Sequence, residues 1–475
     1  MAGFRHRRAT KVSEEDRRSR PAGALLGALA LGLGSLAPSA VLPRAALADN
    51  EPIQKAPSPE VPRGKRLAWK SADGLAYEYV VPKDYDAKTG VNLTFILHGS
   101  NLDRRWGFAN HEAGSFRADD FVVSPDGTTP NGKGGFNSLQ SDKDLKRLHA
   151  LHDELKKALK VRATFVYGHS QGSFFAFLYA GAYPDDVQGV LGQASGVWIG
   201  TEATPKHHHQ AIALMHGTAD PVVPYGQSVV GLAFYRDAKY PLAHLRSLEG
   251  WNHWPDQGQA AQELAWCEGM TSADPARVVA AFEELEKVHE ARDPSAYWQV
   301  ADRLGHLPGA PSGPSAKAKE AAEGVESLAK KHVEAIEREL GKNKGDKLAA
   351  EAWVAHLPMF LRDFDGVPAC EALRKAWADR LEKQKDEAIK HLKEYYRKRD
   401  KEPATAFTEG VTAIQVGCLW HECADEAFLT ALEAWAKDAK KLKLTKAQSK
   451  AFDETVPTFR AARKKGIAAY QDLNK

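Results

Sequence analysis

Just past the first third of the chain a serine stands between glycines, in Gly168-His169-Ser170-Gln171-Gly172. The apolar run Ala163–Tyr167 leads into it and the aromatic-rich run Phe174–Tyr179 follows. A serine hydroxyl is a weak nucleophile until a base takes its proton and a third group orients that base. Glycines on both sides allow a tight turn where a side chain would clash. At a strand-to-helix turn the serine is lifted above the sheet and sits at a helix N-terminus. There the backbone N–H of Gln171 can face an oxyanion. A bare G-x-S-x-G is weak evidence, and a loop serine satisfied by its neighbours is the plain alternative.

Three more segments bring catalytic residue types. The apolar run Thr94–Leu97 ends in His98-Gly99. That ending offers a second oxyanion donor, the N–H of Ser100 or Asn101, with His98 itself reading as structural. A simple glycine turn is the alternative. In Ala211–Tyr225 a buried strand ends at His216-Gly217 and Asp220 follows in the turn. A carboxylate there can orient a histidine and stabilise its imidazolium, or can be only a turn residue before Pro221. Asp185 and Asp186 follow a helix end and fit that role less well. His253 lies in Trp251-Asn252-His253-Trp254, beyond the next strand, as the candidate general base. Trp106, Trp198, Trp251 and Trp254 fall on loops near the site edge. They form either an aromatic wall for an aryl or acyl group or simple loop packing. No cofactor is called for. The nearest approach to a metal site is Cys418, His421 and Cys423, and without a second cysteine pair nearby these read as a disulfide or buried thiols.

The elements that must position these residues are legible between about Arg66 and Gly269. Strand-like runs (Leu75–Pro82, Val91–Gly99, Asp120–Thr128, Ala163–Gly168, Val187–Ser195, Gln210–Gly217, Leu242–Gly250) alternate with helical patterns. The helix over 141–160 opens on a capping residue and carries Leu145, Leu148, Leu151, Leu155 and Leu159 at helical spacing. Alternation of this kind predicts an α/β fold, a mostly parallel sheet covered on both faces, with ligands at the carboxyl ends of the strands. After about Met270 strand runs vanish and Ala, Glu, Lys, Leu and Arg dominate, so 271–475 is expected to be helical, with a linker near 305–316.

The chain of 475 residues is too long for one ordinary core, and 43% hydrophobic with 27% charged residues marks it as globular. A formal charge of +3 is too small to argue for nucleic acid. Residues 1–48 read as an export signal: a basic stretch, the apolar run Ala22–Leu42, and a small-residue site at Ala46-Leu47-Ala48. An uncleaved membrane anchor is the alternative, though the run's many Gly and Ala and its Pro38 make a poor span. Export permits disulfides, and Cys267, Cys370, Cys418 and Cys423 allow three full pairings. Residues 49–65 are proline-rich and read as an extended linker.

With these residues in hand, the segments 79–101, 168–173, 216–225 and 250–255 resemble the serine esterases of the α/β-hydrolase superfamily. They are similar to the polyhydroxybutyrate depolymerase-like, feruloyl-esterase-like and phospholipase/carboxylesterase proteins. The order Ser170, Asp220, His253 is that superfamily's order. Serine at the turn disfavours the dienelactone hydrolases, which carry cysteine there. The resemblance covers roughly residues 66–269. It implies a doubly wound catalytic domain over 66–270 and a Ser170-Asp220-His253 triad. It further implies oxyanion donors at Gln171 and Ser100, and cleavage of a small-molecule or polymer ester through an acyl-enzyme. No long insertion looks like a lid, which favours soluble or surface-exposed esters. A serine peptidase of the same fold, or a binding protein with a degenerate hydrolase domain, are the other readings. The helical half is either a partner- or surface-docking region or a packing module, and the sequence leaves the oligomeric state open.

Overall fold

The computed structural model describes residues 52–474 apart from 113–114, 131–136, 288–292, 343–355 and 417–425. The expected export signal and the Cys418, His421 and Cys423 group lie outside the described residues.

Strands β1 (Ile53–Gln54), β2 (Leu67–Lys70), β3 (Ala76–Val80), β4 (Val91–Leu97) and β5 (Asp120–Pro125) build one half of a sheet. A small separate ladder of β6 (Thr129–Pro130) and β7 (Asn137–Ser138) follows β5. The other half is β8 (Val161–His169), β9 (Gly189–Gln193), β10 (Ala211–Gly217) and β11 (Ala243–Leu248). The spatial order is β1-β2-β3-β5-β4-β8-β9-β10-β11. Only β3 runs against its neighbours, β2 and β5. The strands β4, β9 and β10 are buried along their whole length. That is why they read as unbroken apolar runs and not as alternation.

The interleaved helices are α1 (Arg105–Asn110), α2 (Asp142–Ala158), α3 (Gln171–Ala182), α4 (Gly226–Asp237) and α5 (Gln257–Thr271). Alternate strand residues serve opposite faces. Leu93, Phe95, Val166, Val190 and Leu214 join the core that includes Leu148, Phe175 and Tyr235 of α2–α4. Ile96, Phe165, Tyr167, Leu191 and Met215 join the core that includes Trp106 of α1 and Leu264 of α5. Ser141 caps α2 through a reciprocal box with Asp144, as its sequence pattern predicts.

Two differences from the sequence expectation concern the edge and the join. Ile53–Gln54, inside the proline-rich segment expected as a linker, pairs in parallel with Leu67–Ala68 as the sheet's outermost strand. Edge strands this short and this exposed carry no hydrophobic pattern to read. The linker expected near 305–316 is a short turn between α7 (Pro294–His306) and α8 (Ser312–Lys342).

Beyond Thr271 all regular structure among the described residues is helical. After α6 (Pro275–Glu286), α7 and α8 come helices at Leu357–Asp363, Pro368–Ala376, Ala378–Lys398, Pro403–Val416, Glu426–Lys437 and Lys446–Leu473. Val278 and Phe282 of α6, Val300 and Leu304 of α7 and Ala318 of α8 share the apolar cluster of α5 and the sheet face. The remaining helices enclose a third core around Phe360, Leu392, Phe407 and Phe428. Polar ties cross the join as well. The Trp266 indole N–H donates to Gln299 Oε1 at 3.0 Å, Arg236 pairs with Asp365 at 2.8 Å, and Arg463 pairs with Glu249 at 2.9 Å. Cys267 and Cys370 are buried free thiols, so they are not paired with each other. No described helix is long and apolar enough to cross a membrane.

Candidate active site

At the carboxyl end of β8 the chain turns into α3 through Ser170, whose φ is 53° and ψ −120°. A non-glycine residue in that region is strained and is held only by its surroundings. Those surroundings are close backbone contacts. A Cβ on Gly172 would lie 2.3 Å from Leu97 O and 2.4 Å from His98 O, and one on Gly168 would lie 2.3 Å from Gly172 O. The two glycines let the turn close on itself and press the start of α3 against the end of β4. The Ser170 N–H donates to Gln193 O at 2.9 Å, which ties the turn to the end of β9.

The two expected oxyanion donors flank this turn. Gln171 opens α3, where the first N–H groups of a helix have no intrahelical acceptor. Gly99 comes so close that a Cβ on it would lie 3.2 Å from Ser170 Cβ. Its carbonyl accepts from His98 Nδ1 at 3.0 Å. That bond orients the peptide whose other end is the Ser100 N–H. Burial lowers the His98 pKa, which favours the neutral ring.

Asp220 follows β10 and is fully buried. Its Oδ1 accepts from the N–H groups of Val222 at 2.7 Å and Val223 at 3.0 Å. Its Oδ2 accepts from His253 Nδ1 at 2.7 Å and from His216 Nε2 at 3.1 Å. Burial alone would raise this carboxyl, but the hydrogen bonds from the two histidines outweigh it and hold the group well below the usual carboxylate range. His253 reaches Asp220 because the loops after β10 and β11 are laced together: Ala219 N–H donates to Trp251 O at 3.0 Å, and Gly250 N–H to Thr218 Oγ1 at 2.9 Å. A Cβ on Gly217 would strike Trp251 O at 2.3 Å.

Three participants were not foreseen. Gln193, at the end of β9, donates from Nε2 to His253 O at 3.0 Å and accepts on Oε1 from His169 Nδ1. One side chain therefore joins the serine turn to the histidine loop. Its only sequence signal is a polar residue ending an apolar strand. His169 is held down to about 3, first by burial and then by the neighbouring His253, so it packs as a neutral ring 4.9 Å from that of His253. His216 was read only as part of a strand end. Its Nε2 faces Asp220 Oδ2 and Val223 O, both acceptors, so it carries the proton there.

The four tryptophans divide. Trp106 is buried and stacks on His169 at 4.9 Å, while the exposed Trp254 stacks on the same ring at 5.3 Å. Trp198 is half-buried against Phe174 at 5.6 Å. Trp251 and Trp254 are joined as exposed large apolar side chains by Ile199 and Val222, all on the loops that follow β9, β10 and β11. Asp185 and Asp186 lie in the turn after α3, away from these loops.

Three comparisons with known proteins give one family match and several similar solved structures. Residues 137–259 match the model of the phospholipase/carboxylesterase family. A search of curated protein sequences finds no match. Among solved structures, a thermostable esterase is 16% identical over 46% of this chain and 62% of its own, with a TM-score of 0.32. The chain thus spans less than two thirds of that protein. The esterase Est1E of Butyrivibrio proteoclasticus bound to ferulic acid is 19% identical over 42% of this chain and 95% of its own, with a TM-score of 0.30. The Bacillus cereus carboxylesterase is 17% identical over 42% and 96%, with a TM-score of 0.34. These likenesses carry nothing about this chain's substrate. The sheet order, the strand-turn-helix at Ser170 and the matched segment make the fold that of an α/β-hydrolase.

Proposed function

We propose that the protein is an exported serine hydrolase that cleaves carboxylic esters through an acyl-enzyme. The observation that carries the reading is the 2.7 Å bond from His253 Nδ1 to a buried, ionised Asp220, in a chain that also holds Ser170 at φ 53° on a strand-to-helix turn. With its Nδ1–H committed to Asp220, His253 presents Nε2 as the base. It takes the Ser170 proton as Oγ bonds to the ester carbonyl carbon. The N–H groups of Gln171 and Ser100 stabilise the oxyanion. His253 then gives that proton to the departing alkoxide, and water, activated by the same nitrogen, breaks the acyl–Oγ bond.

The exposed apolar side chains Ile199, Val222, Trp251 and Trp254, on the loops after β9, β10 and β11, favour esters with an aryl or other bulky apolar part. The packing of α6–α8 on α5 favours a helical region that covers the hydrolase as part of its core. The basic, apolar and small-residue pattern of residues 1–48 supports export, which N-terminal sequencing of the mature protein tests. For the chemistry, purified Ser170→Ala should lose p-nitrophenyl butyrate hydrolysis and labelling by a fluorophosphonate. Full activity in that variant rules the assignment out.

A further inference from the structure

Away from the catalytic loops, one cluster of ligand-type side chains lacks the hydrogen bonds its burial calls for. His149 and His152 stand one helical turn apart on α2, and Asp186 lies in the turn after α3. His152 is fully buried. Its Nε2 meets Thr164 Oγ1 at 3.0 Å, while its Nδ1 has no hydrogen-bond partner. His149 Nδ1 is also buried and unpartnered. Both nitrogens face one carboxylate: His149 Nδ1 is 3.5 Å from Asp186 Oδ2, and His152 Nδ1 is 3.9 Å from Asp186 Oδ1. Ligand atoms of all three residues lie within 4.8 Å of one another.

We propose that His149 Nδ1, His152 Nδ1 and Asp186 form a binding site for a divalent transition-metal ion of the zinc type. Zinc bonds of about 2.0–2.1 Å in a tetrahedron set ligand atoms about 3.3 Å apart, so a set that lies within 4.8 Å, with separations of 3.5 and 3.9 Å to the two Asp186 oxygens, closes on an ion through side-chain shifts of about an ångström. Two imidazoles and one carboxylate suit zinc or its neighbours and not calcium or magnesium. Thr164 Oγ1 can accept from Nε2–H, and in that tautomer the lone pair of His152 lies on Nδ1, which faces Asp186. The Tyr183 ring stacks on His149 at 3.9 Å and 8°, which holds the imidazole in place.

Two exposed charges complete the surroundings. Lys156 Nζ is 3.4 Å from Asp186 Oδ1 and can swing into solvent when a cation takes its place. Asp153 Oδ1 is 3.8 Å from His152 Nδ1, so it or a water supplies the fourth donor. The site joins α2 to the turn after α3 at the end of the sheet where strands begin, opposite Ser170. Its role is therefore to staple the fold, separate from the ester chemistry.

The test uses the full-length protein stripped with EDTA and titrated with Zn²⁺ by calorimetry, with Co²⁺ absorption reporting the ligand set. One equivalent should bind to the wild type. His149→Ala and Asp186→Asn, both at partly exposed positions, should weaken it by at least about tenfold. Zinc should raise the unfolding midpoint of the wild type but not of the variants. Ester turnover should be the same in all three. The chain also carries His207, His208 and His209 in a row, so His207→Ala is the control and should bind as the wild type does. Absence of binding, wild-type affinity in both site variants, or loss of binding in His207→Ala would overturn the proposal.

Discussion

Replacing Asp220 by asparagine isolates its orienting role, because the shape is kept while one acceptor becomes a donor. In the native site Oδ1 takes the N–H groups of Val222 and Val223, and Oδ2 takes His253 Nδ1 and His216 Nε2. In Asp220→Asn the amide oxygen keeps the two backbone donors and the NH₂ group stands where Oδ2 was. His216 Nε2 still has Val223 O at 2.9 Å. His253 Nδ1 now meets a donor, so its proton moves to Nε2, the nitrogen that must accept from Ser170. The expected loss in kcat is ~10⁴-fold, the size seen when a triad histidine is held in the wrong tautomer, or ~5.4 kcal/mol at ~1.36 kcal/mol per decade. KM should change little, since the acid does not touch the substrate. The assay is kcat and KM on p-nitrophenyl butyrate near neutral pH, with thermal unfolding to show that the variant is folded. Because the folded-state pKa of Asp220 is depressed, its stabilising contribution is present above the unfolded value of ~3.9 and is lost as pH falls below it. The stability gap between wild type and variant should therefore narrow in acid. A folded Asp220→Asn with kcat within tenfold of wild type would refute the reasoning.

Gly172→Ala puts a methyl 2.3 Å from Leu97 O, so the β4–α3 contact must open; we expect ~1–3 kcal/mol of destabilisation in urea titrations and loss of most activity, and wild-type behaviour would contradict the close approach. Trp254→Ala removes an exposed ring, so the fold should change by less than ~0.5 kcal/mol, while KM for aryl esters rises ~2- to 10-fold and that for acetate esters of short alcohols does not. Equal KM changes for both would remove Trp254 from the substrate wall. A fragment of residues 49–270 should be insoluble or unfolded, because α6, α7 and α8 complete the core against α5; a soluble, fully active fragment would separate the two regions. Burial lowers the pKa of His98, holds His111 and His356 down to about 4 and His169 down to about 3. Below ~6.5 the unfolded chain therefore binds protons that the folded chain does not, and the unfolding midpoint should drop between neutral pH and pH ~4. His244 runs the other way, since its ion pair with Glu263 outweighs burial and raises it. A flat midpoint over that range would show that these histidines are not buried as described.

Much of the site could be read in advance because each catalytic residue type sits where a strongly patterned strand ends. Ser170 stands just past His169, the last residue of β8, Asp220 in the turn past Gly217, and His253 in the loop past Leu248. Apolar runs of this length on buried strands are the most legible pattern a sequence has. The edge strands β1 and β2 were missed because Ile53, Gln54, Trp69 and Lys70 are exposed and carry no pattern. Gln193 and His216 were missed as partners because nothing local marks them. Their roles exist only where β9, β10 and β11 lie side by side.

The α/β alternation, the helical half, and the type and order of Ser170, Asp220 and His253 are legible in local patterns, because periodicity and turn chemistry are local properties. Long-range packing brings His253 to 2.7 Å from Asp220, ties it through Gln193 to the serine turn, and makes His149, His152 and Asp186 converge from two elements. It also decided that the helical region shares a core with α5. Those are contacts between residues far apart in the chain. They are set by strand order and by burial, which no single segment encodes.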